Sequence, residues 1–365
     1  MAGFKSMLEM SIFRKEVQAQ QAYPIEDIAC PVKLDANENP YPLPQTVKRR
    51  FWKRLREIPL NRYPEAGSPE VLKRFALHFG VDRNMIMVGN GSDELIGILC
   101  TALGGERASV MVPVPTFAMY RISAQNNGHK VLSIPLDETF GLDVAGMLDA
   151  IEKEAPSLIF ISYPNNPTGN CFRRSHIEEI IRHSRGIVVV DEAYYPFSGK
   201  TFIEDIKTHE NLVILRTLSK VGLAGMRLGF LLGNQEIIDQ LNKVRLPYNL
   251  NTLSQMAALF YLDEENIFIR QVKKIAREKD RLFRELKNVD GIVPYPSDAN
   301  FIFFGCTHNP NSVYTKLIKR GVLVKPFIPP GVVSGNFRVT VGTRDENEKF
   351  IQELKSIVAE VRGVI

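Results

Sequence analysis

Lys220 closes the run Arg216-Thr217-Leu218-Ser219-Lys220, which a strand-like stretch, Asn211-Leu212-Val213-Ile214-Leu215, delivers into a hydroxyl-rich turn. A lysine so placed can form a Schiff base with an aldehyde cofactor, with Thr217 and Ser219 binding that cofactor's phosphate. Upstream, the apolar run Gly186-Ile187-Val188-Val189-Val190 leads directly into Asp191-Glu192-Ala193-Tyr194, which sets a carboxylate at a strand's C-terminal end, where open α/β sheets bind ligands. Earlier still, Leu158-Ile159-Phe160-Ile161-Ser162 is followed by Tyr163-Pro164-Asn165-Asn166-Pro167-Thr168-Gly169. An anionic Asp191 keeps a pyridine nitrogen protonated, so the ring can accept electrons from a carbanion, while Asn166 and Tyr194 can donate to a phenolate oxygen. Together these residues suit pyridoxal 5'-phosphate. Taken singly each has another reading, since the Asn166 segment is also good turn chemistry and Asp191 is a possible helix N-cap.

A phosphate cup is also legible. Val88-Gly89-Asn90-Gly91-Ser92-Asp93-Glu94 leaves a strand and enters the apolar helix Leu95-Ile96-Gly97-Ile98-Leu99. Small residues let the backbone approach an anion, and helix N-terminal amides supply donors, so Gly91, Ser92 and Asp93 are expected to offer backbone N–H groups. Ser92 and Asp93 serve equally well as ordinary caps. Glu94 stands where a dinucleotide fingerprint needs Gly or Ala, so the cup suits a monophosphate.

The ordered set Asn-Asn-Pro-Thr-Gly, Asp-Glu-Ala-Tyr, Thr-Leu-Ser-Lys and the following Arg227 resembles the fold type I pyridoxal-phosphate aminotransferases. Within them, Lys33-Leu34-Asp35-Ala36-Asn37-Glu38-Asn39-Pro40-Tyr41-Pro42, Arg62-Tyr63-Pro64-Glu65, Gly91-Ser92-Asp93-Glu94 and Arg338-Val339-Thr340-Val341-Gly342-Thr343 are similar to the histidinol-phosphate aminotransferases. The resemblance implies a catalytic set of Lys220, Asp191 and Tyr194, with Lys220 holding the cofactor and exchanging protons in ping-pong kinetics. It implies a guanidinium fork from Arg227 to the cofactor phosphate, an aromatic ring from Phe117 stacked on the pyridine, and Tyr63 reaching the cofactor phosphate of a neighbouring subunit, hence a homodimer with shared active sites. It assigns Tyr23, Asn37 and Arg338 to the substrate pocket. The family often has arginine in a Gly-Val-Leu-Val-Arg-like run where this chain has Gly321-Val322-Leu323-Val324-Lys325, so Lys325 would supply a cation without the fork. The implied reaction joins L-histidinol phosphate and 2-oxoglutarate. An aromatic-amino-acid aminotransferase, a threonine-phosphate decarboxylase and a non-catalytic cofactor-binding regulator are the alternatives.

The positioning elements can be read without the resemblance. Apolar runs at Met85 to Val88, Val110 to Val112, Val131 to Ile134, Leu158 to Ile161, Ile187 to Val190, Leu212 to Leu215 and Leu228 to Leu232 alternate with helix-compatible segments, as in a mainly parallel sheet covered on both faces. With the resemblance this implies an α/β fold with a seven-stranded sheet. A charged stretch from Glu264 to Lys287 carries apolar residues at helical spacing and leads to a smaller α/β lobe containing Phe301 to Phe304 and Phe337 to Val341. The expected organisation is an N-terminal segment over 1–60 packing on the small domain and across the dimer, a large cofactor domain over 61–255, and a small domain over 256–365.

Composition agrees. The chain has 365 residues, 44% hydrophobic and 24% charged, with a net charge of +5 spread along its length, which predicts no nucleic-acid binding. Cys30, Cys100, Cys171 and Cys306 lack the close pairing of a zinc site and fit reduced thiols in a cytoplasmic protein, with no metal expected. No signal peptide or bilayer-length apolar stretch is evident, so no membrane association is expected.

Overall fold

The computed structural model describes residues 12–20, 22, 28–105, 108–327 and 335–362. Among them twelve strands form two sheets. The short β1 (Val32–Leu34) belongs to the smaller sheet, and the next seven make the larger: β2 (Ile86–Asn90), β3 (Ser109–Val114), β4 (Lys130–Pro135), β5 (Leu158–Ser162), β6 (Ile187–Asp191), β7 (Leu212–Thr217) and β8 (Leu228–Gly233). The smaller sheet is completed by β9 (Ile292–Pro294), β10 (Phe301–Cys306), β11 (Val322–Phe327) and β12 (Asn336–Thr340).

The large sheet runs β2-β8-β7-β6-β5-β3-β4. Its centre is apolar along whole strands: every residue of β5, β7 and β8 is buried. Continuous rather than alternating hydrophobicity is what a strand needs when helices cover both faces. Pairing is parallel from β4 to β7, whereas β8 runs antiparallel to both β7 and β2. This reversal matters for chemistry. It brings Leu228, where β8 begins, beside Asn90, where β2 ends, so the residues leaving β2 and entering β8 meet at the edge where β5, β6 and β7 terminate.

Gly229 makes that meeting possible. A Cβ there would lie 2.5 Å from the Gly91 carbonyl carbon and 2.6 Å from the Ser92 nitrogen, so only glycine lets the cup close onto β8.

The smaller sheet has the order β1-β11-β12-β10-β9. Its core, with Ile302, Phe304, Phe337, Val339 and Phe350, is separate from that of the large sheet. The expected boundary between residues 255 and 256 falls inside the helix Thr252–Asp263, whose Ala257, Ala258, Phe260 and Tyr261 pack into the large-sheet core. The change of core instead occurs along the helix Glu265–Lys287, where Phe268 packs with the first core and Ile275 with the second. Four cysteines, Cys30, Cys100, Cys171 and Cys306, are free thiols. Among the described residues no helix is long and apolar enough to cross a membrane.

Behind this edge sits a buried ion pair. Glu192 is 1% exposed and accepts from Arg216 Nε at 3.0 Å and Nη2 at 2.8 Å, from Phe202 N at 2.6 Å and from the Thr201 hydroxyl at 2.8 Å. The Arg216 guanidinium also lies 3.8 Å from the Tyr195 ring centroid. Removing one member leaves the other charge buried without compensation, so Arg216→Met should destabilise the protein by about 3–5 kcal/mol in urea unfolding.

Candidate active site

Asp191 is the centre of the site. It ends β6, is 3% exposed, and faces Ser162 of β5 and Leu215 of β7 in register. Its Oδ2 accepts from the Tyr120 hydroxyl at 2.7 Å and its Oδ1 from Ala193 N at 2.9 Å. Among the described residues it has no ion-pair partner. Burial pushes its pKa up to about 6, against the lowering effect of the two hydrogen bonds, with nearby Asp93 raising it further and Lys220 lowering it. A buried carboxylate held by neutral donors is a suitable partner for a protonated ring nitrogen.

Asn166 and Tyr194 are oriented by residues of the smaller sheet. Arg338 Nη1 donates to Asn166 Oδ1 at 2.5 Å, so the Asn166 amide nitrogen is available as a donor. Arg338 Nη2 also donates to the Asp35 carbonyl. Asn37 Nδ2 donates to the Tyr194 hydroxyl oxygen at 2.9 Å, so the tyrosine's own hydrogen is available to another acceptor. Asn37 is 1% exposed with φ 55°, in the left-handed region that asparagine tolerates better than most residues. Its place is set by its N–H donating to Thr340 Oγ1 at 2.9 Å and by Asn300 Nδ2 donating to its carbonyl at 3.0 Å.

Lys220 lies on the short turn Ser219–Val221, with Nζ 3.4 Å from the Ala36 carbonyl and 5.7 Å from the Tyr194 ring centroid. Thr217 Oγ1 is 2.9 Å from Ser219 Oγ and 2.8 Å from the Leu228 carbonyl. The same edge therefore carries an amine, two hydroxyls, a carboxylate and two oriented donors.

The cup differs in one detail from expectation. Gly91 N–H donates to the Gly89 carbonyl at 2.8 Å, so it is not a free donor. Gly91 contributes space instead: at φ 82° it sits where a Cβ would be 2.5 Å from Arg227 Nη2. Ser92 and Asp93 begin the helix Ser92–Ala102, whose first N–H groups have no carbonyl acceptor within the helix. Arg227 Nη2 pairs with Asp93 Oδ2 at 2.7 Å. These groups, with Thr217 and Ser219, fit a phosphate held at a helix N-terminus. Phe117 precedes the helix Ala118–Asn126 and meets Tyr120 edge-on at 5.5 Å.

Other expected residues are more dispersed. Lys325 pairs in register with Arg338 across β11 and β12, so both side chains emerge on one face. Tyr63 is 81% exposed and stacked on Tyr248 at 4.7 Å. Tyr23 lies outside the described residues. Tyr120, Asn300 and Thr340 escaped sequence reading; of these only Tyr120, one helical turn beyond Phe117, carried a spacing signal.

The residues present fit pyridoxal 5'-phosphate: a carboxylate for the ring nitrogen, donors for the ring oxygen, an amine for the aldehyde and a cup for the phosphate. A family model described as aminotransferase class I and II matches residues 31–354. The chain is 41% identical to histidinol-phosphate aminotransferase of Aquifex aeolicus over 346 residues, covering 94% of this chain and 97% of the relative. It is 42% identical to histidinol-phosphate aminotransferase 2 of Nitrosococcus oceani, covering 94% and 96%. Among solved structures, histidinol-phosphate aminotransferase of Sinorhizobium meliloti in complex with pyridoxal 5'-phosphate superposes with a TM-score of 0.86 at 21% identity, covering 98% of this chain and 100% of that one.

The raised Asp191 pKa has a stability consequence with a definite sign. Between the ordinary carboxyl value and about 6 the folded apoprotein binds more protons than the unfolded chain, so this group's contribution to stability falls as pH rises through that window. Comparing wild type with Asp191→Asn cancels the other groups. From pH 4 to pH 6.5 the apo wild type should lose about 2 kcal/mol relative to the variant in urea unfolding.

Proposed function

The chain belongs to the class I and II aminotransferases, and on that premise we propose that it interconverts L-histidinol phosphate and 2-oxoglutarate with imidazole-acetol phosphate and L-glutamate, a step of histidine biosynthesis. The observation that carries this reading is the near-full-length identity to relatives bearing that name. The paired cations Lys325 and Arg338 accord with it, because the two amino donors present a phosphate at one end or carboxylates in its place.

Pyridoxal 5'-phosphate, when bound, supplies the electron sink for a carbanion at the substrate α-carbon. The residues then divide the work. Lys220 Nζ would remove the α-proton, Asp191 would supply the carboxylate for the ring nitrogen, and Asn166 with Tyr194 would donate to the ring oxygen. Arg227, Thr217, Ser219 and the N–H groups of Ser92 and Asp93 would hold the phosphate, and Phe117 would supply an aromatic ring to stack on the cofactor. Arg338 would take the α-carboxylate of glutamate or the phosphate end of histidinol phosphate, Asn37 orients Tyr194, and Lys325 adds a second cation for that phosphate.

The active assembly is a homodimer. Leu60, Tyr63, Leu246 and Tyr248 are large apolar side chains left 48% to 82% exposed, and the stacked pair Tyr63 and Tyr248 supports this reading, with Tyr63 completing the partner's phosphate site. A biosynthetic enzyme with four free thiols suits the cytoplasm.

An absorbance titration tests both half-reactions. Histidinol phosphate should bleach the cofactor band and 2-oxoglutarate should restore it; bleaching by phenylalanine but not by histidinol phosphate would overturn the substrate assignment. Lys220→Ala should lose turnover, and wild-type-like rates in that variant would remove the lysine from the chemistry. Lys325→Ala should raise KM for histidinol phosphate by about 10–100-fold, the scale of one charged hydrogen bond, with little change for phenylalanine. Equal losses on both substrates would place Lys325 elsewhere.

A further inference from the structure

Resting on the aminotransferase reading, we propose that Tyr120 is a positioning residue that acts through two cofactor contacts at once, fixing the Asp191 carboxylate with its hydroxyl and the Phe117 ring with its edge. The hydroxyl donates to Asp191 Oδ2 at 2.7 Å, while Ala193 N–H secures the other oxygen, so the carboxylate is pinned at both ends. The ring lies parallel to Phe160 of β5, with centroids 4.6 Å apart and 4° between planes, and perpendicular to Phe117 at 5.5 Å. Tyr120 itself is fully buried. One rigid side chain thereby couples the charge that faces the ring nitrogen to the aromatic face that covers the ring.

A tyrosine suits this place because of what it does not do. Burial and the adjacent Asp191 carboxylate hold its ionisation well above the ordinary tyrosine range, so it remains a donor across the working pH range and never competes for a proton with Asp191. The groups facing this pair are Asp93 from the cup helix, Lys220 from the turn after β7, Ser162 at the end of β5 and Tyr194 after β6. Lys220 alone among the charged groups opposes the effect of burial on Asp191, and the Tyr120 donor acts in the same direction. Without the hydroxyl, Asp191 would take up a proton at higher pH and lose its attraction for a protonated ring nitrogen.

Tyr120→Phe separates the roles, since it keeps the ring contacts and removes only the donor. Cofactor affinity of the apoprotein, measured by fluorescence titration from pH 5.5 to 9, is the readout, taken as the ratio of variant to wild type so that the cofactor's own ionisations cancel. The expected result is affinity about twofold weaker at pH 7, with the deficit growing toward about tenfold below pH 6 and closing toward pH 9, because the Asp191 midpoint moves up by about one unit. Infrared difference spectra of the apoprotein should show the protonated carboxyl band, identified by its loss in Asp191→Asn, persisting to correspondingly higher pH. A pH-independent deficit, or unchanged affinity and an unmoved band, would overturn the proposal. If Tyr120→Phe does not fold, 3-fluorotyrosine at position 120, a stronger donor, should move the band to lower pH, and an unmoved band would again overturn it. A wild-type protein that binds no pyridoxal phosphate would fail the aminotransferase reading instead, while the infrared comparison on the apoprotein would still decide the role of Tyr120.

Discussion

The register of β5, β6, β7 and β8 is the constraint on which the site depends. Ser162 opposes Asp191, Asp191 opposes Leu215, and Thr217 opposes Gly229, so the functional residues leave the sheet together. A slip of one residue would exchange the faces of every side chain on a strand. Here both faces are packed with Ile, Val, Leu and Phe of different sizes, and a slip would misfit them on both sides while carrying Asp191 away from Tyr120. Core packing and catalytic alignment are thus one requirement. The antiparallel β8 adds the phosphate cup to the same edge, provided that position 229 has no side chain.

The smaller sheet does more than cover the site. Its inner face reaches across through Arg338 to Asn166, and through Thr340 and Asn300 to Asn37 and on to Tyr194. Each of these contacts fixes the direction of a polar group that would otherwise have two orientations, turning Asn166 and Tyr194 into donors toward the site. Arg338 of the smaller sheet thus joins Asn166 of the larger one to the Asp35 carbonyl.

Much of this was legible in the sequence for a simple reason. The central large-sheet strands appear as apolar runs because strands covered on both faces cannot alternate in polarity, whereas the edge strand β4, with no buried residue, shows only a shorter run broken by Ser133. Strand direction was less accessible: nothing in Leu228 to Leu232 distinguishes an antiparallel strand from its parallel neighbours. Gly91 is an instructive case, since a glycine at a helix start reads as an anion donor, yet its N–H turns back to Gly89 and its use is the space it leaves for Arg227. Asn300 and Thr340 could not be anticipated because their roles depend on contacts across hundreds of residues. The large core extends through Phe268 because an amphipathic helix running past both cores carries no break where one ends.

The buried Asp191 carboxylate explains why a site of this kind tolerates local instability. Holding a carboxylate in a dry strand end, with its pKa near 6, disfavours the folded apoprotein at neutral pH by up to about 3 kcal/mol relative to an exposed group. Tyr120 and the Ala193 amide reduce that penalty without neutralising the charge, which is the balance the chemistry needs. A cationic partner from the protein, an arginine for example, would stabilise the fold further and would also occupy the position required by the ring nitrogen. The remaining penalty is offset when a ligand supplies the missing positive charge, since a group that binds only the folded state stabilises it by mass action. Among the described residues no cation forms an ion pair with Asp191, so the buried charge that disfavours the folded apoprotein is also the charge that would draw a cationic ligand.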